Sequence, residues 1–436
     1  MSFDCHPLKS DRPLIVYLDF KSPYAYLAWQ PTLEMARELG IAVDWRPFVL
    51  DIPSYLGSAK LGKSGELAEQ NRSEEQWSGV KYAYYDCRRY ANLSQLTVRG
   101  TVKIWDTNLA AIAFLWARRQ GDEVLERYIG AVYEPFWKRE LDIEDPAVIC
   151  SVLRQAGAET EGFEQYSQTD GAAENSALQA AAFDAGLFGV PSYVVNGQVY
   201  FGREHLPRIR WHLSGERGSA PDIAYPVPAG ACVEPSPKPS LGVCIDFKCP
   251  RSFLSLAPSL ALAAELECPI EWYPRQSAPL QAPIGPGDGS RGSRHRHFRA
   301  EYTARDIARY APHELADSYA NFDSVPASLG LIWLQQAAPA LANSYVMAVF
   351  DQYWRRQLAI DSMAAVEQIL QEFELSVEDF RLFVEREGSA ALQRLQQSLS
   401  KRAVIGTPTY LLDEEPFLGR QHLPLLRARL KRPIGC

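Results

Sequence analysis

The chain of 436 residues contains most of its sequence twice. The segment DFKSPYAYLA at 19–28 returns as DFKCPRSFLS at 246–255, and GVPSYVVNGQVYFGREHLP at 189–207 returns as GTPTYLLDEEPFLGRQHLP at 406–424. The offset falls from 227 residues in the first motif to 217 in the second, so the second copy is slightly shorter. Solenoid repeats are about 20–50 residues long, so this period indicates the duplication of a whole domain. Positions that differ between the copies show where their chemistry has diverged.

Composition and charge limit the kind of protein this chain forms. Apolar residues make up 47% and charged residues 22%, which is ordinary for a globular protein. The net charge of −8 argues against a nucleic-acid surface, because phosphate binding needs clustered Lys and Arg. No apolar run approaches the roughly 18 residues of a membrane span, and the N-terminus lacks the apolar stretch of a secretory signal. Eight cysteines without a C-x-x-C pair then predict reduced thiols in a cytoplasmic protein, and we expect an enzyme.

Each copy opens with a strand, a helix and a second strand. In the first copy, Leu14–Phe20 is rich in β-formers, Pro23–Leu39 has helical spacing that Gly40 ends, and residues 41–48 predict another strand. This order favours parallel strands joined by a right-handed crossover. The second copy repeats the pattern at Val243–Phe247, Ser252–Leu266 and Pro269–Tyr273.

The rest of each copy predicts a helical insertion followed by a β-hairpin. Residues 65–185 are helical in pattern throughout, Pro191–Phe201 forms a hairpin turning at Asn196-Gly197, and Glu204–Leu213 is a terminal helix. The matching hairpin is Pro408–Leu418. The chain therefore predicts an α/β fold of two tandem thioredoxin-like domains, each with a helical insertion.

The domain boundaries follow from these elements. We assign residues 1–13 to a tail, 14–215 to the first domain, 216–239 to a linker and 240–432 to the second, diverged domain. The linker carries six prolines, which exclude a helix or a central strand. The two copies in one chain also allow an intramolecular pairing.

A second irregular stretch occurs in the second copy alone. Residues 279–293 are rich in Gly and Pro without a phosphate-binding pattern, and they predict a mobile loop. His295 and His297 follow in a basic run. Two histidines without convergent Cys or carboxylates are weak evidence for a metal, so a surface loop is the simpler interpretation and we expect no metal site.

Ser22 and Cys249 occupy the same position at the start of the first helix of each copy. Serine before proline is a common helix N-cap, so for Ser22 taken alone a capping role is the favoured interpretation. Cysteine caps poorly, so capping does not explain Cys249. A helix N-terminus lowers the pKa of a thiol and stabilises thiolate, so Cys249 is a catalytic candidate. At the same position Ser22 could donate a hydrogen bond to the thiolate of a bound ligand, so it is a candidate too. An inert buried thiol is the alternative for Cys249.

A proline precedes the first strand of each hairpin. Gly189-Val190-Pro191 and Gly406-Thr407-Pro408 place it at the first position of the strand. We expect a cis bond, which would expose the backbone of Val190 to an extended ligand; a trans turn is the alternative.

Taken together, SPYAYLA at 22–28, KYAYYDCRRYA at 81–91 and FGVP at 188–191 with the later FGRE resemble one family. It is the 2-hydroxychromene-2-carboxylate isomerase and kappa-class glutathione transferase family, a branch of the DsbA-like thioredoxin fold. The resemblance covers nearly all of 14–213 and, more weakly, 241–430. It implies that Ser22 activates glutathione, that Val190 before cis Pro191 pairs with the glutathione backbone, and that Glu204 holds the γ-glutamyl end.

The second copy departs from this pattern. It has Cys249 for Ser22, Thr407 with Pro408 for Val190 with Pro191, and Gln421 for Glu204. Residues 49–61 of the first copy also lack the G-G-x-F-x-x-x-G-N loop of the family.

Three hypotheses stay open. The first is a glutathione-dependent isomerase or transferase acting on a small aromatic or enone-like electrophile. The second is a thiol–disulfide oxidoreductase that works through the monothiol Cys249. The third is a second copy that serves as a non-catalytic pseudo-dimer partner of the first.

Overall fold

The computed structural model describes residues 6–431, except 62–66, 238–239, 284, 286–288 and 357–358. The strands of the first copy are β1 (Leu14–Leu18), β2 (Val43–Pro47), β3 (Ala59–Leu61), β4 (Leu67–Gln70), β5 (Ser192–Val195) and β6 (Gln198–Phe201). Its helices are α1 (Pro23–Leu39), α2 (Ile52–Leu56), α3 (Glu74–Leu93), α4 (Asn108–Arg118), α5 (Asp122–Trp137), α6 (Pro146–Gln155), α7 (Phe163–Gln168), α8 (Asp170–Asp184) and α9 (Leu206–Leu213).

The main sheet of the first copy has the strand order β2-β1-β5-β6. Strands β1 and β2 are parallel and α1 joins them, as the sequence predicts. Strand β5 runs antiparallel to β1 and forms the hairpin with β6. Asn196 and Gly197 turn that hairpin with φ of 51° and 72°, the backbone that a type I′ turn needs.

Helix α1 begins and ends where its sequence requires. Ser22 caps it, Pro23 is its first residue, and Gly40 ends it at φ 63°. Its buried residues include Tyr26, Leu33 and Met35.

The prediction of helix throughout 65–185 is wrong at its start. Strand β4 pairs antiparallel with β3, although Leu, Ala, Glu and Gln are good helix formers, because strand pairing overrides weak local propensity. The stretch between α3 and α4 is also irregular. The remaining insertion is helical, and Trp137 at the end of α5 is fully buried.

The second copy repeats the architecture. Its strands are β7 (Leu241–Ile245), β8 (Ile270–Pro274), β9 (Thr409–Leu412) and β10 (Glu415–Leu418), and their order is β10-β9-β7-β8. Its helices are α10 (Pro250–Glu265), α11 (Arg291–Tyr310), α12 (Val325–Ala337), α13 (Ala342–Phe350), α14 (Met363–Glu372), α15 (Val377–Phe383), α16 (Ser389–Lys401) and α17 (Leu423–Leu430). Each copy is thus a four-stranded mixed sheet with helices, and the fold is two DsbA-like thioredoxin domains in tandem.

Two compact units divide the chain. Unit 1 comprises Met1–Ile223, Pro228–Ala231 and Pro286–Phe298, and unit 2 comprises Ala224–Val227, Cys232–Gly285 and Arg299–Cys436. The start of α11 therefore belongs to unit 1, although its sequence comes from the second copy.

The structure corrects the prediction of a surface loop at His295 and His297, while the described residues of 279–290 are irregular, as the sequence predicts. Helix α11 already begins at Arg291, and His295 lies in it with only 7% of its surface exposed. The physical reason is apolar contact, since the ring of His295 packs on aromatic side chains of unit 1. Within the described residues, no group of His, Cys, Asp and Glu is arranged to hold a metal ion. In that same part of the chain, no helix is long and apolar enough to cross a membrane.

Candidate active site

Ser22 lies at the N-terminus of α1 and is buried. Its Oγ accepts a hydrogen bond from the backbone N–H of Ala25 at 3.2 Å, so the capping role expected for a serine here is present. The same Oγ donates to the carbonyl oxygen of Val190 at 3.5 Å. Because 3.5 Å is at the outer limit of hydrogen bonding, the hydroxyl can turn toward a ligand without losing a strong bond.

The turn before β5 brings further predicted residues to Ser22. The Val190–Pro191 and Thr407–Pro408 peptide bonds are both cis, as the sequence analysis expects. The carbonyl of Pro191 accepts a hydrogen bond from the N–H of Gly202 at 2.9 Å. Glu204 follows two residues later, in the short 3-10 turn Arg203–His205 that packs against α1. The structure therefore brings Ser22 to Val190 before the cis Pro191, and it places the turn that carries Glu204 against α1.

A buried ion pair adjoins Ser22, and the sequence analysis did not identify it. Lys21 Nζ lies 3.5 Å from Asp19 Oδ2, and the two side chains are only 5% and 1% exposed. Lys21 also donates to Thr107 Oγ1 at 3.2 Å, and the backbone N–H of Leu50 donates to Asp19 Oδ2 at 2.7 Å. Buried charges need such partners. The repeated DFK of both copies was the available signal.

Aromatic side chains support this end of α1. Tyr26 stacks on Tyr133 at 5.3 Å and on Trp137 at 6.4 Å between ring centroids. Burial, with a smaller contribution from the charge of Glu134, raises the pKa of Tyr26 to about 12. The hydroxyl of Tyr133 donates to the carbonyl of Asp19 at 3.3 Å. The cluster therefore fixes the strand end that carries Asp19 and Lys21.

A cleft of about 400 Å³ opens beside this centre. Its polar edge consists of Asp51, Asn108, Asn175, Ser176, Gln179 and Arg291. Hydrogen bonds between side-chain amides hold this edge together: Asn175 donates to Asn108 and Gln179 donates to Asn175, both at 3.0 Å. Gln179 in turn accepts from the N–H of Val49 at 2.7 Å. The helical insertion and the loop after β2 are thus held together around the cleft.

Two pairs of adjacent residues connect the cleft to the centre at Ser22. Asn108 follows Thr107, the hydrogen-bond partner of Lys21. Val49 precedes Leu50, whose N–H bonds to Asp19. Sequence reasoning missed these lining residues because they lie on separate helices and a loop that only the tertiary fold assembles.

The second copy keeps the frame of the site and changes its chemistry. Cys249 occupies the N-cap of α10 without making a side-chain capping bond, and its Sγ lies 3.5 Å from the carbonyl oxygen of Thr407. Gln421 donates its amide to the carbonyl of Leu418 at 2.7 Å. Thr407 and Pro408 form the matching cis bond.

The buried carboxylate of the second copy is held mainly by neutral donors. Asp246 accepts from the Ser277 hydroxyl at 2.6 Å and from the Ser324 hydroxyl at 2.7 Å. Lys248, the counterpart of Lys21, lies 4.0 Å from it. The equivalent lysine therefore contributes less to this centre than in the first copy.

Both copies of the chain match the same protein family. A family model described as a DSBA-like thioredoxin domain matches residues 13–214 and again 241–431. The 2-hydroxychromene-2-carboxylate isomerase of Sphingobium xenophagum is 28% identical over 200 residues, which cover 45% of this chain and 95% of that protein. The protein of the same name from Pseudomonas putida is 22% identical over 191 residues, covering 44% and 88%. Each relative thus matches less than half of this chain over most of its own length, as a duplicated domain requires.

Two solved structures are similar to part of this chain. A structure of 2-hydroxychromene-2-carboxylate isomerase is 22% identical and covers 43% of this chain and 92% of its own, with a TM-score of 0.34. The cytosolic disulfide reductase DsbM from Pseudomonas aeruginosa, solved with GSH, is 16% identical and covers 42% and 92%, with a TM-score of 0.31.

Proposed function

Since the chain belongs to the DSBA-like thioredoxin domain family, whose model matches it in both copies, we propose that its first copy is a glutathione-dependent isomerase or transferase. Its second substrate would be a small aromatic or enone-like electrophile. The observation that carries the proposal is the position of Ser22, at a helix N-terminus and 3.5 Å from the carbonyl of Val190. The two relatives named as isomerases support it.

The groups around Ser22 fit a thiol peptide. Ser22 Oγ is a donor with a weak existing bond, and the N-terminus of α1 adds the positive end of a helix dipole. The backbone of Val190 would pair with the extended peptide, and the carboxylate of Glu204 would attract its γ-glutamyl ammonium. Bound glutathione supplies a thiol that adds reversibly to an electrophilic carbon.

The chain's own residues then have separate tasks. Ser22 holds the sulfur in its thiolate form by donating a hydrogen bond. Asp19 and Lys21 keep the strand end rigid, because their ion pair ties β1 to the loop after β2 and to the start of α4. The amide edge of the cleft, at Asn108, Asn175 and Gln179, would orient the polar groups of the second substrate.

A second candidate function rests on Cys249. Its thiol lies at the N-terminus of α10 and makes no capping bond there. A thiolate here would attack a disulfide, form a mixed disulfide with one half of it and release the other half as a thiolate. A glutathione thiolate would then attack that mixed disulfide, form a new disulfide with the bound half and release the thiolate of Cys249. This assigns oxidoreductase chemistry to the second copy alone. A non-catalytic second copy that pairs with the first remains compatible with the isomerase proposal.

Calorimetric titration of glutathione into the full chain tests both candidates. We expect one binding event in wild type, lost in Ser22→Ala and retained in Cys249→Ser. Retention in Ser22→Ala with loss in Cys249→Ser would move the site to the second copy. No binding to any of the three proteins would overturn glutathione dependence.

A further inference from the structure

The start of α11 fits tightly into unit 1. An added Cβ at Gly292 would lie 2.3 Å from the carbonyl oxygen of Ser54, closer than any real contact allows. Only glycine therefore lets α11 approach α2 this closely at this position. Arg294 forms an ion pair with Asp184 at 2.6 Å, and this contact also fixes α11 to the end of α8.

The ring of His295 makes two aromatic contacts here, one of them with a residue close in sequence to the candidate active site. The imidazole of His295 stacks on Tyr55 with 3.8 Å between centroids and 4° between planes. Its edge meets Phe188 at 5.6 Å. Phe188 is two residues before Val190, the partner of Ser22. His295 thus builds an aromatic wall near the proposed sulfur position, from sequence outside the first copy.

Arg291 stands beside the same wall. It lines both the small recess formed with Tyr55, Phe188 and His295 and the larger cleft formed with the amides of α8. Its guanidinium lies 4.1 Å from the ring centroid of Phe183, a favourable cation–π geometry. The side chain is 36% exposed, so a ligand in the cleft can reach it.

The charges of the cleft favour an anion at Arg291. The nearby carboxylate is Asp51, whose Oδ2 lies 3.4 Å from Arg291 Nε. This pairing uses the inner nitrogen, so the two terminal nitrogens keep donors for a planar carboxylate. The other polar groups of the edge are the neutral Asn108, Asn175, Ser176 and Gln179.

We propose that Arg291 and His295 are specificity-determining residues of the unit 1 site: Arg291 binds the carboxylate of a planar aromatic substrate, and His295 with Tyr55 packs beside its ring. The inference rests on the proposed function for the chemistry at Ser22, but it concerns the second substrate. It also gives two residues from the sequence of the second copy a role in the site of the first copy.

Salicylate and its uncharged analogue salicylamide are the probes. We would titrate each into full-length wild type, Arg291→Met and Arg296→Met by calorimetry. Arg291→Met should bind salicylate about tenfold more weakly or worse, since a charge-assisted hydrogen bond is lost, and should bind salicylamide as wild type does. Arg296→Met is the matched control: it removes an exposed cation of the same helix that lines neither cavity, and should leave both affinities unchanged.

A fourth protein makes the test sharper. Asp51→Asn removes the carboxylate that competes for Arg291, so salicylate should bind more tightly than to wild type. A merely structural ion pair would not give that gain. Unchanged salicylate binding in Arg291→Met, or none in wild type, would overturn the inference. If Arg291→Met shows the loss but glutathione does not bind wild type, the inference stands and the glutathione proposal falls.

Discussion

The Oγ of Ser22 and the carbonyl oxygen of Val190 lie 3.5 Å apart, although the two residues are 168 positions apart in the chain. The second copy holds the Sγ of Cys249 at the same 3.5 Å from the carbonyl of Thr407. Duplication has therefore kept the position of a small polar side chain against a cis-proline turn, while its chemistry changed from hydroxyl to thiol.

Ser22→Ala should abolish glutathione-dependent turnover and cost about 1 kcal/mol of stability, because the mutation also removes an N-cap. Ser22→Asp separates the two effects. Asp caps well, but its charge repels a thiolate, so thermal stability should recover and activity should not. Recovery of activity in Ser22→Asp would show that Ser22 is only a capping residue.

Lys21→Met should destabilise the first copy by about 3 kcal/mol, since it leaves the Asp19 carboxylate buried without its cation. The double variant Asp19→Asn/Lys21→Met should lose less than Lys21→Met alone. Lys248→Met is the matched control in the second copy, where the ion pair is longer and Asp246 has two hydroxyl donors. Urea denaturation measures all three, and an equal loss in Lys21→Met and Lys248→Met would contradict this account.

Acid should weaken the first copy through Asp44. Burial acts against the charge of this carboxylate, but hydrogen bonding to Arg46 and the charges of Arg118 and Arg46 outweigh it and lower the pKa below the ordinary 3.8. A lowered pKa gives stability that is present above the unfolded value and is lost as pH falls through the folded one.

Denaturation of wild type and Asp44→Asn at several pH values measures this contribution. Wild type should be the more stable protein at neutral pH, and the difference should shrink below pH 3.8. A difference that stays constant in acid would contradict the assignment.

Cys249 should react with iodoacetamide faster than Cys87 and Cys244, if the second copy carries thiol chemistry. Burial raises the pKa of the Cys87 thiol and raises that of Cys244 to about 12, so both stay protonated and slow. Mass spectrometry of peptides after timed alkylation gives the rates, with exposed Cys232 as the reference for an accessible thiol. Equal rates at Cys249 and Cys244 would remove the oxidoreductase alternative.

Local sequence predicted the elements that carry the site better than the site itself. Helix α1 has the predicted bounds because Ser22, Pro23 and Gly40 each specify a terminus on their own. The hairpin turns at Asn196-Gly197 for the same local reason.

The cleft and its charged neighbours depend on distant contacts instead. Lys21 meets Thr107 across 86 residues, and Gln179 meets Val49 across 130, so neither pairing leaves a trace in local periodicity. The sequence predicts a loop at Arg291, which lies in the stretch rich in glycine and proline, and a surface loop at His295, which lacks convergent metal ligands. Both residues lie in helix α11 instead, where His295 packs on Tyr55 and Arg291 on Phe183. The local sequence does not indicate these contacts.

The pKa of the glutathione thiol bound to the full chain tests the central claim most directly. Ultraviolet difference absorbance would follow thiolate formation against pH in wild type, Ser22→Ala and Cys249→Ser. The account predicts thiolate at neutral pH in wild type and Cys249→Ser. In Ser22→Ala, which no longer binds glutathione, it predicts only the ordinary pKa of a free thiol, about 8.5. Thiolate that persists in Ser22→Ala and disappears in Cys249→Ser would contradict it.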